Sequence, residues 1–133
     1  GYITAAAPSD TNGAGFNNGY VFRNCLLTVD PRMNSKNIFL GRGAWTGGSN
    51  GAPNPAKVVF INSQLHGQIN SKAWADWDNV STAAKQFFRE YKNTGEGSIA
   101  SETETRCFLT EEEYKSIYSS TQKILGFKPK MPY

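Results

Sequence analysis

The chain has 133 residues, of which 38% are hydrophobic and 19% are charged. This length allows one domain or part of one, and a composition this apolar excludes an intrinsically disordered chain. The formal net charge of +3 comes without a run of basic residues, so a nucleic-acid-binding protein is not indicated, although an acidic polymer would suit the charge. The sequence contains neither an apolar stretch of membrane-spanning length nor a signal peptide at Gly1.

Short strand-like segments follow one another along most of the chain. They are rich in β-branched and aromatic residues and are bounded by turn-forming residues, which is typical of strands. No long helix is predicted between them, so they could form a β-sandwich or a β-solenoid. We assign the first, third and fifth segments to one set of strands and the other two to a second set. In chain order the segments are Tyr2–Ala5, Val21–Leu27, Ile38–Arg42, Val59–Leu65 and Phe87–Tyr91.

An internal repeat favours the solenoid. Residues 21–27, Val-Phe-Arg-Asn-Cys-Leu-Leu, are matched 38 residues later by 59–65, Val-Phe-Ile-Asn-Ser-Gln-Leu. Equivalent residues of successive solenoid turns stack, so the two leading valines are expected in the core and Asn24 and Asn62 in a side-chain ladder. The alternative is that Val-Phe-x-Asn recurs by chance in another kind of β protein.

The end of the chain predicts a helix. Thr110 and Glu113 form a capping box, and apolar residues then recur at a spacing near 3.6 until a glycine ends the pattern. We expect this helix to cover the open end of the solenoid and to be followed by an extended tail. The strand turns would then span about 1–108, and the capping helix and tail 109–133.

Few residues are candidates for chemistry. The sequence contains no nucleophile elbow, phosphate-binding loop, zinc triad or dinucleotide fingerprint. His66 is the sole histidine, and its place at the end of a strand favours a surface role over a catalytic one. The four aspartates lie in turn-like surroundings, where turn and cap roles are their default. Cys25 and Cys107 fit no metal-ligand spacing, which leaves two unpaired thiols or one long-range disulfide.

Arg42 and Trp45 are the most informative candidates. Arg42 ends a strand, two small residues follow it, and Trp45 comes directly before a loop rich in Gly and Pro at 46–55. A planar guanidinium can bind a carboxylate, and an indole face can pack on a sugar ring. The two residues together therefore favour an acidic saccharide as ligand. The alternatives are a surface arginine and a core tryptophan.

Five motifs in a fixed order support a more specific hypothesis. They are Gly-Tyr-Ile-Thr-Ala at 1–5, Gly-Tyr-Val-Phe-Arg-Asn-Cys at 19–25, Leu-Gly-Arg at 40–42, Val-Val-Phe-Ile-Asn-Ser at 58–63 and Phe-Arg-Glu-Tyr-Lys-Asn-Thr-Gly-Glu-Gly at 88–97. In this order they resemble the pectinesterases (pectin methylesterases) over essentially the whole chain, and the residues around the final helix are similar to the microbial branch. The resemblance implies an all-β fold, namely the C-terminal turns of a right-handed parallel β-helix with a capping helix.

The resemblance also implies a function. Pectinesterases are secreted carboxylic ester hydrolases that demethylate galacturonate residues of pectin and release methanol, without a metal or other cofactor, nucleic acid or membrane. One aspartate attacks the ester, a second protonates methanol and later activates water, and glutamines stabilise the oxyanion. The arginine of the Leu-Gly-Arg motif orients the nucleophile, which implies a catalytic role for Arg42. The tryptophan after it lines the sugar subsites, which implies substrate binding by Trp45.

Two departures from the family pattern affect these roles. The family usually reads Leu-Gly-Arg-Pro-Trp, whereas Gly43 and Ala44 separate Arg42 from Trp45 here. The family segments that carry the two aspartates and the glutamines precede the Gly-Tyr-Ile-Thr-Ala motif, and none of the aspartates of this chain matches them. We therefore expect the C-terminal portion of a longer enzyme, inactive alone and partnered by the N-terminal part. The alternatives are a non-catalytic polyuronate-binding or structural β-helix, and an esterase or thioesterase for another acyl group.

Overall fold

The computed structural model describes residues 1–6, 19–42, 56–75 and 86–130. Within these ranges the strands form two sheets: sheet one contains the first, third and fifth strands, and sheet two contains the second, fourth and sixth. All pairings within the two sheets are parallel. The chain therefore coils, with each turn beside the previous one, as the predicted parallel β-helix requires. The strands are β1 (Tyr2–Thr4), β2 (Tyr20–Arg23), β3 (Phe39–Arg42), β4 (Lys57–Ile61), β5 (Trp74–Ala75) and β6 (Phe87–Tyr91).

The structure confirms strands at all five predicted segments but changes the set to which one belongs. Phe87–Tyr91 pairs with Lys57–Ile61 in sheet two, so its assignment to the set of the first segment is wrong. The third strand of sheet one is Trp74–Ala75, which pairs with Gly41 and Arg42. This strand has two residues and no β-branched run, so its formation depends on the neighbouring strand more than on intrinsic propensity.

A third row of contacts completes each turn after sheet two. The backbone first turns through the left-handed region at one equivalent residue per turn: Asn24 (φ 55°), Asn62 (φ 48°) and Lys92 (φ 48°). Parallel bridges then join three residues, Leu26, Gln64 and Thr94. We call residues 26–28, 64–67 and 94–96 the third face. Asparagine tolerates the left-handed region better than most residues, which explains its recurrence at this corner.

The predicted ladder of the Asn24 and Asn62 side chains is wrong, and hydrogen bonds between side chain and backbone join the turns at the next residue instead. Asn24 and Asn62 are both exposed at the corner. At the next position, Ser63 Oγ accepts a hydrogen bond from the backbone N–H of Cys25 at 3.1 Å. Asn93 Oδ1 accepts in the same way from the N–H of Ser63 at 3.0 Å. Each turn thus satisfies a backbone donor of the turn before it.

The central strand of sheet two, β4, is apolar on both sides. Val58 and Phe60 belong to the interior of the coil, whereas Val59 and Ile61 belong to a second cluster on the outward side, and all four are fully buried. Val21 pairs with Val59 as expected, but the two valines lie in the outward cluster and not in the interior of the coil, where they were expected. A strand buried on both sides requires a cover on its outer side as well.

The C-terminal segment is helical, as predicted, but it is interrupted. The Thr110 hydroxyl accepts from the N–H of Glu113 at 3.0 Å, and the Glu113 carboxylate accepts from the N–H of Thr110 at 3.2 Å, which confirms the capping box. The helix is interrupted because the Ser120 hydroxyl caps a new start. In the described residues no helix is long and apolar enough to cross a bilayer. The helical pieces are α1 (Glu111–Glu113), a π-helical turn (Tyr114–Tyr118) and α2 (Thr121–Leu125).

This segment packs on the outward side of sheet two and not over the open end of the solenoid, where it was expected. Tyr118 is buried in the outward cluster with Ile61. Arg23 Nη2, on the same side of the sheet, donates to the Ser119 carbonyl at 2.8 Å. The helices therefore provide the cover that the outward valine and isoleucine side chains need. The division into strand turns up to about 108 and helix plus tail from 109 stays a prediction.

A buried ion pair closes the last turn. Glu90 continues the inward column of Phe22 and Phe60, and the side chains of Glu90 and Arg106 are each 2% exposed. Arg106 Nε and Nη2 donate to the Glu90 carboxylate at 2.8 and 2.6 Å, and Nη2 also donates to the Gly97 carbonyl at 2.9 Å. The apolar column therefore ends in a charge pair held by two hydrogen bonds between the side chains.

Candidate functional site

Arg42 is the last residue of β3, in sheet one. The preceding residue, Gly41, pairs with Thr4 on one side and Trp74 on the other. A Cβ added at Gly41 would lie 2.5 Å from Thr4 Oγ1 and 3.2 Å from the Trp74 ring. Trp74 stacks on Phe88 inside the coil, so Gly41 faces the interior. The Arg42 side chain that follows is half-buried.

An aromatic side chain of the first strand contacts the Arg42 guanidinium. Arg42 Cζ lies 5.4 Å from the centre of the Tyr2 ring, within the range of a cation–π interaction. The Tyr2 ring packs in turn on Phe39, with 5.8 Å between the ring centres. Tyr2 is 52% exposed. The guanidinium is thus half-buried at the surface of sheet one, where its planar fork of donors could bind a carboxylate.

Several other predicted residues lie outside the described ranges. They include Trp45 itself and the loop 46–55 that follows it. The aspartate that the structure does describe, Asp30, lies in an exposed turn, where it accepts a hydrogen bond from Arg32 Nε at 2.9 Å. The hydrogen bonds from Arg32 lower the pKa of the Asp30 carboxyl, and they fit its predicted turn role. The other residues named in the sequence analysis that lie outside the described ranges are Gly43, Ala44, Asp10, Asp76 and Asp78.

His66 and the cysteines lie apart from the Arg42 surface. His66 is an exposed residue of the third face, and its Nδ1 accepts from the Gln68 N–H at 3.2 Å. Cys25 and Cys107 are free thiols, so the disulfide alternative is not observed. Across the ranges that the structure describes, no three His, Cys, Asp or Glu side chains group as a metal site.

Sequence reasoning missed Tyr2 as a neighbour of Arg42. A signal was available, because the segments of both residues were assigned to the same strand set, and strands of one set are neighbours in successive turns. The register pairs Tyr2 with Phe39, so the contact with Arg42 depends on how the side chains lean along the strand. A strand pattern does not contain that information.

Comparison with known proteins identifies the family. The family model named Pectinesterase matches residues 1–125. Pectinesterase 2 of Citrus sinensis is 30% identical over 100 residues, which cover 72% of this chain and 18% of that protein. The chain spans 15% to 18% of the length of the plant relatives that it matches.

Solved structures of pectin methylesterases share the fold. The deglycosylated enzyme from Aspergillus niger aligns with a TM-score of 0.60 and 22% identity over 96% of this chain and 38% of that chain. The enzyme from Yersinia enterocolitica aligns with a TM-score of 0.64 and 22% identity over 94% of this chain and 40% of that chain. The microbial branch stays a prediction, since the sequence relatives are plant proteins. The family match and the shared parallel β-helix together show that the chain belongs to the pectinesterase family.

Proposed function

We propose that this chain is the C-terminal part of an enzyme that hydrolyses the galacturonate methyl esters of pectin and releases methanol. The observation that carries the proposal is the position of Arg42, in the Leu-Gly-Arg motif of a pectinesterase-family β-helix, with its guanidinium over the exposed ring of Tyr2. The relatives are named pectinesterases, and the solved structures with this fold are pectin methylesterases. Action on this cell-wall polymer also implies secretion.

In this proposal Arg42 orients the carboxylate of a nucleophilic aspartate. A guanidinium can donate two parallel hydrogen bonds to a carboxylate, and its charge keeps that carboxylate ionised. The carboxylate attacks the ester carbonyl and forms an acyl-enzyme, and a second carboxylic acid gives methanol its proton. The second group then activates the water that hydrolyses the intermediate. Trp45 is proposed to pack on a galacturonate ring.

The edges of the first turn support a partner for this chain. In the described residues β1 and β2 each pair on one side only. Tyr2 and Tyr20 in these edge strands are 52% and 50% exposed. An unpaired strand edge is a template for another strand. We propose that further β-helix turns, which carry the two aspartates and the glutamines, stack here, and that this chain is inactive alone.

Replacement of Arg42 tests the proposal. In the complete enzyme, Arg42→Ala should lower kcat for methanol release from methyl-esterified pectin by a factor on the order of 10² or more. Arg32→Ala is the matched control, because the Arg32 side chain is 89% exposed and lies in a turn. Near-normal turnover in Arg42→Ala would overturn the assignment of this residue.

A non-catalytic polyuronate-binding β-helix is the second candidate. One observation favours it: the described aspartate, Asp30, is bound to Arg32 in a turn and does not belong to the Arg42 surface. Galacturonan binding by the complete polypeptide without methanol release would support this candidate. Hydrolysis of another ester or a thioester, with methylated pectin left intact, would point to the third alternative, an esterase for a different acyl group.

A further inference from the structure

A cavity of about 430 Å³ opens on the third face. Its wall consists of three successive turns, whose residues Leu26, Gln64 and Thr94 are bridged in parallel. Backbone hydrogen bonds from Leu27 to Gln64, at 3.0 Å, and from Leu65 to Thr94, at 2.8 Å, fix the same rows. The wall is therefore preformed by backbone pairing, as binding sites in proteins usually are.

The polar side chains at the cavity include both donors and acceptors. The Nδ1 atom of His66 accepts a hydrogen bond from the N–H of Gln68, so the proton of the neutral imidazole resides on Nε2, which can donate. Glu96 contributes acceptor oxygens, and the Gln64 amide contributes both kinds of group. Together these groups can bind neighbouring hydroxyls.

A glycine makes room for the Glu96 carboxylate. A Cβ added at Gly67 would collide with the Glu96 carboxylate and would come within 3.1 Å of the Glu96 Cβ. The carboxylate therefore lies directly beside the residue that follows His66. The Glu96 carboxylate, an acceptor, and the His66 imidazole, a donor through Nε2, thus border the same cavity.

The hydrogen bond at His66 Nδ1 disfavours a metal ion as the ligand. A metal on Nε2 would require the proton on Nδ1, and the bond from Gln68 would be lost. Among the described residues that border this cavity, Glu96 is the only Asp, Glu, Lys or Arg, so the acidic group there has no basic Lys or Arg beside it. A free uronate would be repelled by Glu96.

The remaining lining suits the apolar face of a sugar. Leu26 is 64% exposed at the cavity, and Leu27 and Leu65 also line it. We propose that this site binds an uncharged pyranose unit, with its C–H face on Leu26 and its hydroxyls on Gln64, His66 and Glu96. The identification of that unit as methyl-esterified galacturonate rests on the proposed function. The site would retain esterified stretches of the polymer on a side of the coil other than sheet one.

Calorimetry on the complete polypeptide tests the site, with Arg42→Ala as background so that the probes are not consumed. The probes are a methyl-esterified galacturonate oligosaccharide, the same oligosaccharide after de-esterification, and a neutral galactose oligosaccharide. A Gln64→Ala substitution should weaken binding of the esterified probe by about fivefold, the effect of one lost hydrogen bond. Glu96→Gln should strengthen binding of the de-esterified probe. Glu104→Gln, at an exposed residue outside the cavity, should change neither affinity.

The imidazole signals of His66 localise the binding. They are assigned by their loss in His66→Gln and should shift with the esterified probe and not with the de-esterified one. Equal shifts with both probes, or no shift with any probe, would overturn the site. A shift with the galactose probe alone would overturn the identification of the esterified unit. Failure of the proposed function would instead appear as absent methanol release by the complete polypeptide with Arg42 intact, while the His66 shift and the Glu96 effect persist.

Discussion

The Arg42 guanidinium lies over the ring of Tyr2, with 5.4 Å between Cζ and the ring centre. The two residues belong to neighbouring strands of sheet one, and the exposed ring limits where the guanidinium can go. In the proposed mechanism this contact positions the group that orients the nucleophile. The proposed mechanism therefore makes Tyr2 a positioning residue, which acts through Arg42.

Removal of the Tyr2 ring should weaken catalysis slightly. A cation–π contact at an exposed site contributes about 0.5–1 kcal/mol, so Tyr2→Ala in the complete enzyme should lower kcat about two- to fivefold. Tyr2→Phe keeps the ring and should restore the rate, as measured by methanol release under saturating pectin. A loss of equal size in Tyr2→Phe would mean that the hydroxyl, and not the ring, contributes.

The glycine before Arg42 should not tolerate a side chain. Thr4 Oγ1, which would lie 2.5 Å from an added Cβ, cannot move freely because it donates to the Leu40 carbonyl at 2.9 Å. Gly41→Ala should therefore destabilise the protein by about 1–3 kcal/mol through overpacking. Urea unfolding measures the change, and Gly1→Ala is the control, since nothing lies within 4 Å of a Cβ there. An unchanged unfolding midpoint in Gly41→Ala would contradict the packing of this column.

The repeat between residues 21–27 and 59–65 predicted the register of sheet two, since Val21 pairs with Val59. It succeeded because equivalent residues occupy equivalent environments in stacked turns. The role of Asn24 and Asn62 was not predictable from the repeat alone, because a ladder and a left-handed corner favour the same residue. Lys92 adopts the same conformation at φ 48°, so the corner is set by the coil and not by asparagine.

The candidate site was predictable only in part. The Leu-Gly-Arg motif placed Arg42 at a strand end, which the structure bears out. The contact with Tyr2 depends on the three-dimensional path between strands, which no local pattern contains. The burial of Glu90 was not predictable from a local pattern either. A glutamate in a strand pattern indicates an exposed position, and its burial depends on Arg106, which lies 16 residues further along.

Removing one partner of the Glu90–Arg106 pair should destabilise the folded state strongly, whereas replacing both partners with apolar residues should destabilise it little. Arg106→Met leaves the Glu90 carboxylate buried without its partner and should destabilise the complete polypeptide by about 3–5 kcal/mol in urea unfolding. The double variant Glu90→Leu with Arg106→Met removes both charges and should recover most of that loss. Arg32→Met, which breaks the exposed pair with Asp30, should leave the unfolding midpoint unchanged. A double variant as unstable as Arg106→Met would show that the pair is needed for more than charge compensation.

Contact of the C-terminal helices with the coil should weaken at both extremes of pH. The Tyr91 hydroxyl donates to Glu111 at 2.6 Å, and Lys92 Nζ lies 3.6 Å from the same carboxylate. The hydrogen bond from Tyr91 lowers the pKa of Glu111 below its ordinary 4.5. Glu111 therefore stabilises the folded state above pH 4.5, and this contribution is lost as the pH falls through the lowered pKa.

The alkaline side follows from the other two groups. Desolvation and the hydrogen bond to Glu111 raise the pKa of Tyr91 above 10.0. The hydrogen bond between Lys92 and Tyr91 raises the pKa of Lys92 above 10.5. The contributions of Tyr91 and Lys92 to the stability of the folded state are complete below pH 10.0 and 10.5, and they are lost as the pH rises through the raised pKa values. The protection of the backbone amides of residues 111–125 against hydrogen exchange, relative to the intrinsic exchange rate at each pH, should fall in both pH ranges. Glu111→Gln should remove the loss of protection at low pH, and Tyr91→Phe should reduce the loss at high pH. Protection profiles that neither variant changes would assign the contact to other groups.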